Sequence, residues 1–300
     1  MIAASEPKHD EGQVNGVIKS EASRPLTCGP MPRTLPAVCF ELQAKVDAFL
    51  HEETHDDILR KVQSRVRVAM DVIQEALQRY GLDHLSLSYN GGKDCLVLLI
   101  LILACLPKWA PQATPSRFNT TAADAPTKMT AELPLSADAT PLDRPLHAIY
   151  IVSRDPFAEV EEFVARTAEQ YHLDLKRYAL PMRPALDAYL EDRPSVKAIF
   201  LGTRRTDPHG EHLTHFDPTD KGWPQFMRVH PVIDWHYVEI WAFIRHLQIP
   251  FCELYNRGFT SLGGITDTRP NPALAVGGDA SKFRPAYELR DDDEERLGRD

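Results

Sequence analysis

Hydrophobic positions along this chain follow two rhythms, one near 3.6 residues and one of two residues, and their succession predicts an α/β fold. From Ile58 the apolar residues Leu59, Val62, Val66, Ile73, Leu77 and Tyr80 recur at helical spacing, with Gly81 placed where a C-terminal cap would stand. Leu85, Leu87 and Tyr89 then alternate with polar residues as a short strand that runs into Asn90-Gly91-Gly92-Lys93-Asp94, and a buried helix follows from Cys95. A second strand over 146–152 leads to a helix expected to open with Asp155 as N-cap and Pro156 at its first position, turning Phe157, Val160, Phe163 and Val164 inward. A strand over 173–180, a helix over 183–190 and a strand over 196–202 complete the series. Such connections make a doubly wound, mainly parallel, Rossmann-like sheet, with ligands bound at the carboxyl ends of its strands.

After Gly202 the alternation stops, and one further helix is predicted over 235–248, capped by Asp234 and closed before Pro250. Residues 1–36 are rich in Pro, Ser, Glu and Gly, and 107–145 in Pro, Ala, Thr, Ser and Asp without apolar periodicity. Neither stretch can recover its ordering entropy by burial, so the first reads as a flexible tail and the second as a largely disordered surface insertion. The remainder, 37–300, reads as one domain whose 203–300 region holds a second substrate.

Composition narrows the class. With 43% apolar residues the chain can build a sizeable core, and a net charge of −9 argues against the broad basic footprint of a nucleic-acid binder. Five cysteines without a C-x-x-C pair make neither a disulfide framework nor a zinc site, and His209, His212, His215, His230 and His236 show no metal-ligand spacing. The longest apolar run, Leu96 to Leu106, falls short of the roughly 18–20 residues that span a bilayer, and the first 35 residues lack a secretory signal. A cytoplasmic enzyme of small-molecule substrates, monomeric and engaging neither nucleic acid nor membrane, is the expectation.

The strongest chemical signal is Ser88-Tyr89-Asn90-Gly91-Gly92-Lys93-Asp94-Cys95 between a strand and a helix. Its glycines let the backbone approach a polyphosphate, the helix N-terminus favours anions and Lys93 adds charge. Asp94 would repel phosphate, so its expected task is to hold Mg²⁺ with Asn90 nearby, and Cys95 adds a weak hydrogen bond at the helix start. An ordinary β-to-α turn has the same composition. Gly202-Thr203-Arg204-Arg205-Thr206-Asp207-Pro208 falls at the end of the fourth strand, where Arg204 and Arg205 could pair with phosphate or form a solvated basic turn. In Thr219-Asp220-Lys221-Gly222-Trp223-Pro224, Trp223 could stack on a flat ring and Asp220 accept hydrogen bonds from it, or the tryptophan could belong to the core. Leu254 to Gly264 reads equally as a ligand-lining loop or a hinge, and Arg296 and Arg299, three apart, as one face of a helix or a solvated surface.

Taken in order, these blocks resemble the modified pyrophosphate loop and following motifs of eukaryotic FAD synthetases, a group within the sulfonucleotide-reductase-like adenine nucleotide α-hydrolase folds. The resemblance covers roughly residues 58–299, including Gly202 to Pro208, Leu254 to Gly264 and Glu295-Arg296-Leu297-Gly298-Arg299. It implies a Mg²⁺-dependent transfer of AMP from ATP to FMN, giving FAD and pyrophosphate as the last step of FAD biosynthesis, with apoflavoproteins as possible clients. It further implies catalytic roles for Asn90, Asp94, Asp220, Arg296 and Arg299, with Asn90 and Asp94 at the metal. Ser88, Tyr89, Gly91, Gly92, Lys93, Arg204, Arg205, Asp207 and Trp223 are implied in ligand binding, within a C-terminal flavin-binding extension. Rival readings are a sulfonucleotide reductase, which needs a reactive cysteine, an RNA-thiolating ATPase, which brings paired cysteines or a basic patch, and a silent flavin- or nucleotide-binding module.

Overall fold

The computed structural model describes residues 33–109, 141–277 and 279–299; most of the expected tail, and 110–140 of the expected insertion, lie outside the described residues. A helix the periodicity reading did not include, α1 (Leu35–His51), opens two residues inside the stretch assigned to the tail and buries Leu35, Val38, Leu42, Val46 and Phe49. Helix α2 (Asp57–Tyr80) follows, capped by Asp56, whose Oδ1 accepts from the amides of Ile58 at 2.8 Å and Leu59 at 3.2 Å, and closed by Gly81. Strand β1 (Leu85–Ser88) then feeds α3 (Lys93–Trp109), so 107–109 continue this helix instead of entering the insertion. Every side chain from Cys95 to Leu106 is buried, because α3 is covered by α1, α2 and α6 (Tyr237–His246) as well as by the sheet. That all-round burial explains the unbroken apolar run.

The chain continues through β2 (His147–Ile151), α4 (Ala158–Gln170), β3 (Asp174–Tyr178), α5 (Met182–Asp192) and β4 (Ala198–Phe200). β5 (Phe216–Pro218) and β6 (Met227–Val229) extend the sheet, and a two-stranded ribbon, β7 (Ala275–Val276) with β8 (Asp279–Phe283), lies apart. The six-stranded order is β3-β2-β1-β4-β6-β5, parallel except for the β5–β6 pair. Chain direction across the sheet reverses between β1 and β4, and a crevice opens at the carboxyl ends of two such strands. Leu85 and Leu87 belong to the large core beneath the helices, while Ile149 and Ile199 join Leu186 and Tyr189 of α5 on the opposite face. Helices on both faces make the sheet doubly wound, as the pattern predicts.

Two caps differ from expectation. Helix α4 starts at Ala158 after Phe157; Asp155 and Pro156 instead tie the chain to the 261–268 loop, through Ile265 N–H to Asp155 O at 2.7 Å and a Pro156–Gly264 bridge. Helix α6 begins after His236, and its Glu239 carboxylate accepts from the His236 amide at 2.9 Å, leaving Asp234 free for another partner. The fourth strand is also shorter than the 196–202 expected, because the chain turns at once into the site. No described helix is long and apolar enough to cross a membrane.

One buried group ties stability to pH. His230 is 1% exposed and neither ring nitrogen has a hydrogen-bond partner. Burial therefore lowers its pKa from 6.5 to about 4, with Asp217 opposing the shift. The unfolded chain takes up this proton below pH 6.5 while the folded chain does not until about 4, so stability falls across that window as pH drops and is unaffected above it. The expected loss approaches ~3 kcal/mol. Thermal midpoints of wild type and His230→Gln at pH 7.5 and 5 check this: the variant should lose less on acidification.

Candidate active site

At the carboxyl end of β1 the backbone makes the turn that Gly91 permits, with φ +75°; a Cβ there would meet Val164 Cγ2 at 2.9 Å. Asn90 organises the turn from within, since its Oδ1 accepts from the Gly92 amide at 2.9 Å and from Cys95 Sγ at 3.1 Å. The Lys93 amide, at the first turn of α3, donates to the Tyr255 hydroxyl at 2.8 Å. Two of the amides expected to meet phosphate are thus already engaged by side chains.

Behind the turn lies a buried ionic cluster. Lys93, 2% exposed, pairs with Asp94 at 3.0 Å and with Glu295. Arg204, fully buried, sets Nε 2.9 Å from Asp94 Oδ1, Nη1 3.3 Å from Asp292 and Nη2 3.6 Å from Asp207, and also pairs with Glu295. The Asp94–Arg204 contact is a buried ion pair without a well-aligned hydrogen bond. Burial would lower the Lys93 ammonium and the Arg204 guanidinium, but the surrounding carboxylates outweigh it and raise both. Burial would likewise raise Asp94, yet Arg204 and Lys93 hold its carboxyl below the ordinary range. Asp207 moves the other way: burial raises it despite Arg204.

In front of the cluster is a cavity of about 580 Å³, lined by Ser88, Asn90, Gly92, Asp94, Thr203 and Asp207 from the sheet edge and by Ser261, Leu262, Arg296 and Arg299 from the C-terminal part. Residues 292–299 form successive turns rather than a helix, yet both arginines reach this cavity. The Arg296 side chain has no hydrogen bond or ion pair with a described residue. Arg299 Nε is unpartnered, and its nearest carboxylate, Asp267, stands 3.9 Å away. Gly263 makes room for this guanidinium, because a Cβ at that position would strike Arg299 Nη1. Arg296 thus presents free donors and Arg299 a guanidinium held by one long ion pair, whereas Lys93 and Arg204 are neutralised from behind.

The structure places several of the expected ligand residues away from this cavity. Tyr89 turns away from the cavity into the core, where its hydroxyl donates to Thr167 Oγ1 at 2.8 Å. Arg204 is buried and spent on four carboxylates. Arg205 reaches neither the cavity nor phosphate: Asp234 accepts from its Nε at 2.8 Å, and the Glu211 and Leu213 carbonyls accept from its Nη1. This pairing is also what Asp234 does in place of capping α6. Asp220 is 75% exposed and faces Arg228 at 3.4 Å, and Trp223 is also exposed; neither lines the cavity. Because β5 runs antiparallel, the 219–226 turn leaves the sheet where β4 begins, at the edge opposite the glycine turn. Tyr255 and Glu295 stand inside motif blocks named from the sequence but receive no role there, and Asp292 is not singled out, because each works on a residue more than fifty positions away.

A parallel sheet with a glycine turn at its switch point, an ionic cluster behind that turn and two arginines across the cavity before it define a nucleotide-handling α/β protein. The sequence matches the phosphoadenosine phosphosulfate reductase domain over residues 84–185 and 178–270. It is 36% identical to a probable FAD synthase of Schizosaccharomyces pombe over 258 residues, 86% of each chain, and 33% identical to the flavin adenine dinucleotide synthase of Saccharomyces cerevisiae, covering 79% of this chain and 74% of that one. The fold superposes on Candida glabrata FMN adenylyltransferase in complex with FMN and an ATP analog with a TM-score of 0.75 at 27% identity, covering 90% of this chain and 99% of the other. Yeast FAD synthetase bound to FAD gives 0.74 at 29% identity, over 89% and 100%. The chain belongs to the FAD synthases of the phosphoadenosine phosphosulfate reductase domain family.

Proposed function

We propose that this chain transfers AMP from ATP to FMN, and the observation that carries the reading is a pair of guanidinium groups, Arg296 without a partner among the described residues and Arg299 with one long ion pair to Asp267, facing the glycine turn across one cavity. A phosphate oxygen of FMN attacks the α-phosphorus of ATP; the new O–P bond forms as the bond to the β-phosphate oxygen breaks, and its electron pair leaves with pyrophosphate. The FMN phosphate has a second pKa near 6 and is largely dianionic at neutral pH, so no general base is needed. What must be overcome is repulsion between two polyanions and the cost of aligning them, and Arg296, Arg299 and the cavity walls address both.

Mg²⁺ fits this arrangement in a limited way. Among the described residues no group of three or more acidic, histidine or cysteine side chains is placed to hold a metal ion, but Mg²⁺ is usually held by one or two carboxylates plus substrate phosphates. Asp94, whose residue lines the cavity, would receive it, whereas Asn90 Oδ1 is engaged by the turn. The ion would supply further charge neutralisation at the phosphates. Met182, Leu201 and Leu262 give the cavity an apolar side for the flavin, while the placement of Asp220 and Trp223 lends no support to a flavin contact there. A cytoplasmic setting belongs to the same proposal, supported by the free, buried Cys39, Cys95, Cys105 and Cys252.

A reductase reading is not supported: burial pushes the Cys39, Cys95 and Cys105 thiols up to about 12, away from nucleophilic reactivity. The test is incubation with FMN, ATP and Mg²⁺, following FAD and pyrophosphate by chromatography, with Asp94→Ala as control. Equal amounts of both products, lost in the variant, are expected. Binding of FMN and ATP without FAD formation would make the chain a silent binding module.

A further inference from the structure

Arg296 and Arg299 lie on a stretch without helix or strand, yet both are aimed at the cavity, and something must fix their direction. The intervening contacts point to Glu295. Its carboxylate is buried and divided between two cations from different parts of the sheet edge: Oε1 accepts from Lys93 Nζ and Oε2 from Arg204 Nη2. Its carbonyl accepts from Thr260 Oγ1 at 2.6 Å, and Asn271 Nδ2 donates at 2.7 Å to the carbonyl of Glu294. Asp292 adds a third anchor, accepting from the Tyr237 amide at 2.7 Å and pairing with Arg204. Beyond Glu295 the anchors among the described residues are backbone contacts and one long ion pair: the Arg269 amide donates to Gly298 O at 2.8 Å, Thr268 bridges to Arg299, and Arg299 stands 3.9 Å from Asp267.

We infer that Glu295 is a positioning residue, a latch that registers the C-terminal turns on the glycine loop through Lys93 and Arg204 and so aims Arg296 and Arg299 at the FMN phosphate. On this view Lys93 acts on the reaction through Glu295 rather than by touching phosphate. The inference rests on the adenylyl-transfer reading of the cavity. It also explains why a lysine and an arginine sit at this loop fully neutralised, a poor arrangement for direct anion binding but a rigid one for holding a carboxylate.

A double-mutant cycle tests it, read as FMN affinity by flavin fluorescence and as turnover to FAD. Glu295→Gln keeps the shape and removes the charge; turnover should fall by roughly 100-fold, the effect of misplacing a reacting group by about 1 Å, with weaker FMN binding and little change in KM for ATP. In an Arg296→Ala/Arg299→Ala background the same change should have almost no further effect on FMN affinity, since the groups it aims are gone. Thr260→Val, which removes only the hydroxyl holding the Glu295 carbonyl, should give a smaller loss with the same selectivity. Equal losses in both backgrounds, or KM for ATP and FMN rising together, would show that Glu295 merely stabilises the fold. Should Glu295→Gln prove unfolded, Thr260→Val decides between the same two outcomes. If the doubly substituted background binds FMN and turns over like wild type, the adenylyl-transfer reading of the arginines fails instead, and that result is separately visible.

Discussion

Arg299→Ala should lower kcat/KM for FAD formation by roughly 10²–10³-fold while leaving the thermal midpoint within a degree or two, as expected for a donor aimed at charge in the transition state. The stability half of this expectation follows from the partners. Arg299 Nε has none, and Asp267, the only carboxylate near the guanidinium among the described residues, is 3.9 Å away. Removing the side chain therefore strands no buried acid. Steady-state rates with FMN varied at saturating ATP, together with a melting curve, check both halves. Loss of stability without loss of kcat/KM would reassign Arg299 to the fold.

Arg204 should behave in the opposite way. Its guanidinium is fully buried among Asp94, Asp207, Asp292 and Glu295, so Arg204→Leu leaves four carboxylates with Lys93 as the remaining cation inside the cluster. Removing one partner of a buried ion pair costs about 3–5 kcal/mol, here a fall in thermal midpoint on the order of 10 °C. Acidification should narrow the gap. Without Arg204 to hold it down, Asp94 binds its proton at a higher pH than in wild type, and protonation then relieves repulsion among the acids. Melting curves of both proteins at pH 8 and pH 6 measure this. A variant that melts like wild type but shows a raised KM for ATP would restore Arg204 to the phosphate.

These two arginines mark where sequence reading stops. Both were legible as candidates, since each belongs to a motif at the right end of a predicted strand or near a predicted loop. What the sequence could not say was which cations are spent. Charge neutralisation depends on Asp292 and Glu295 meeting Lys93 and Arg204 across separations of 88 to 202 positions, and no local periodicity encodes such a meeting. Asp220 and Trp223 show the same limit from another side. The residues suited a flavin loop, but their place was set by the antiparallel return of β5, a pairing that polar three-residue strands do not announce.

The sequence by itself determined the alternation of strands and helices, the buried α3 and the glycine turn between the first strand and that helix, and hence an α/β sheet with a candidate ligand turn at its edge. Each of these follows from residues close together in the chain, through side-chain period or backbone permissiveness. The tertiary structure alone decided the burial of Tyr89, the pairing of Asp234 with Arg205, the neutralising of Lys93 and Arg204, and the placing of Arg296 and Arg299 at one cavity. All of these depend on which distant groups come to share a low-dielectric interior, where an ion pair's worth is set by its surroundings and not by its neighbours in sequence.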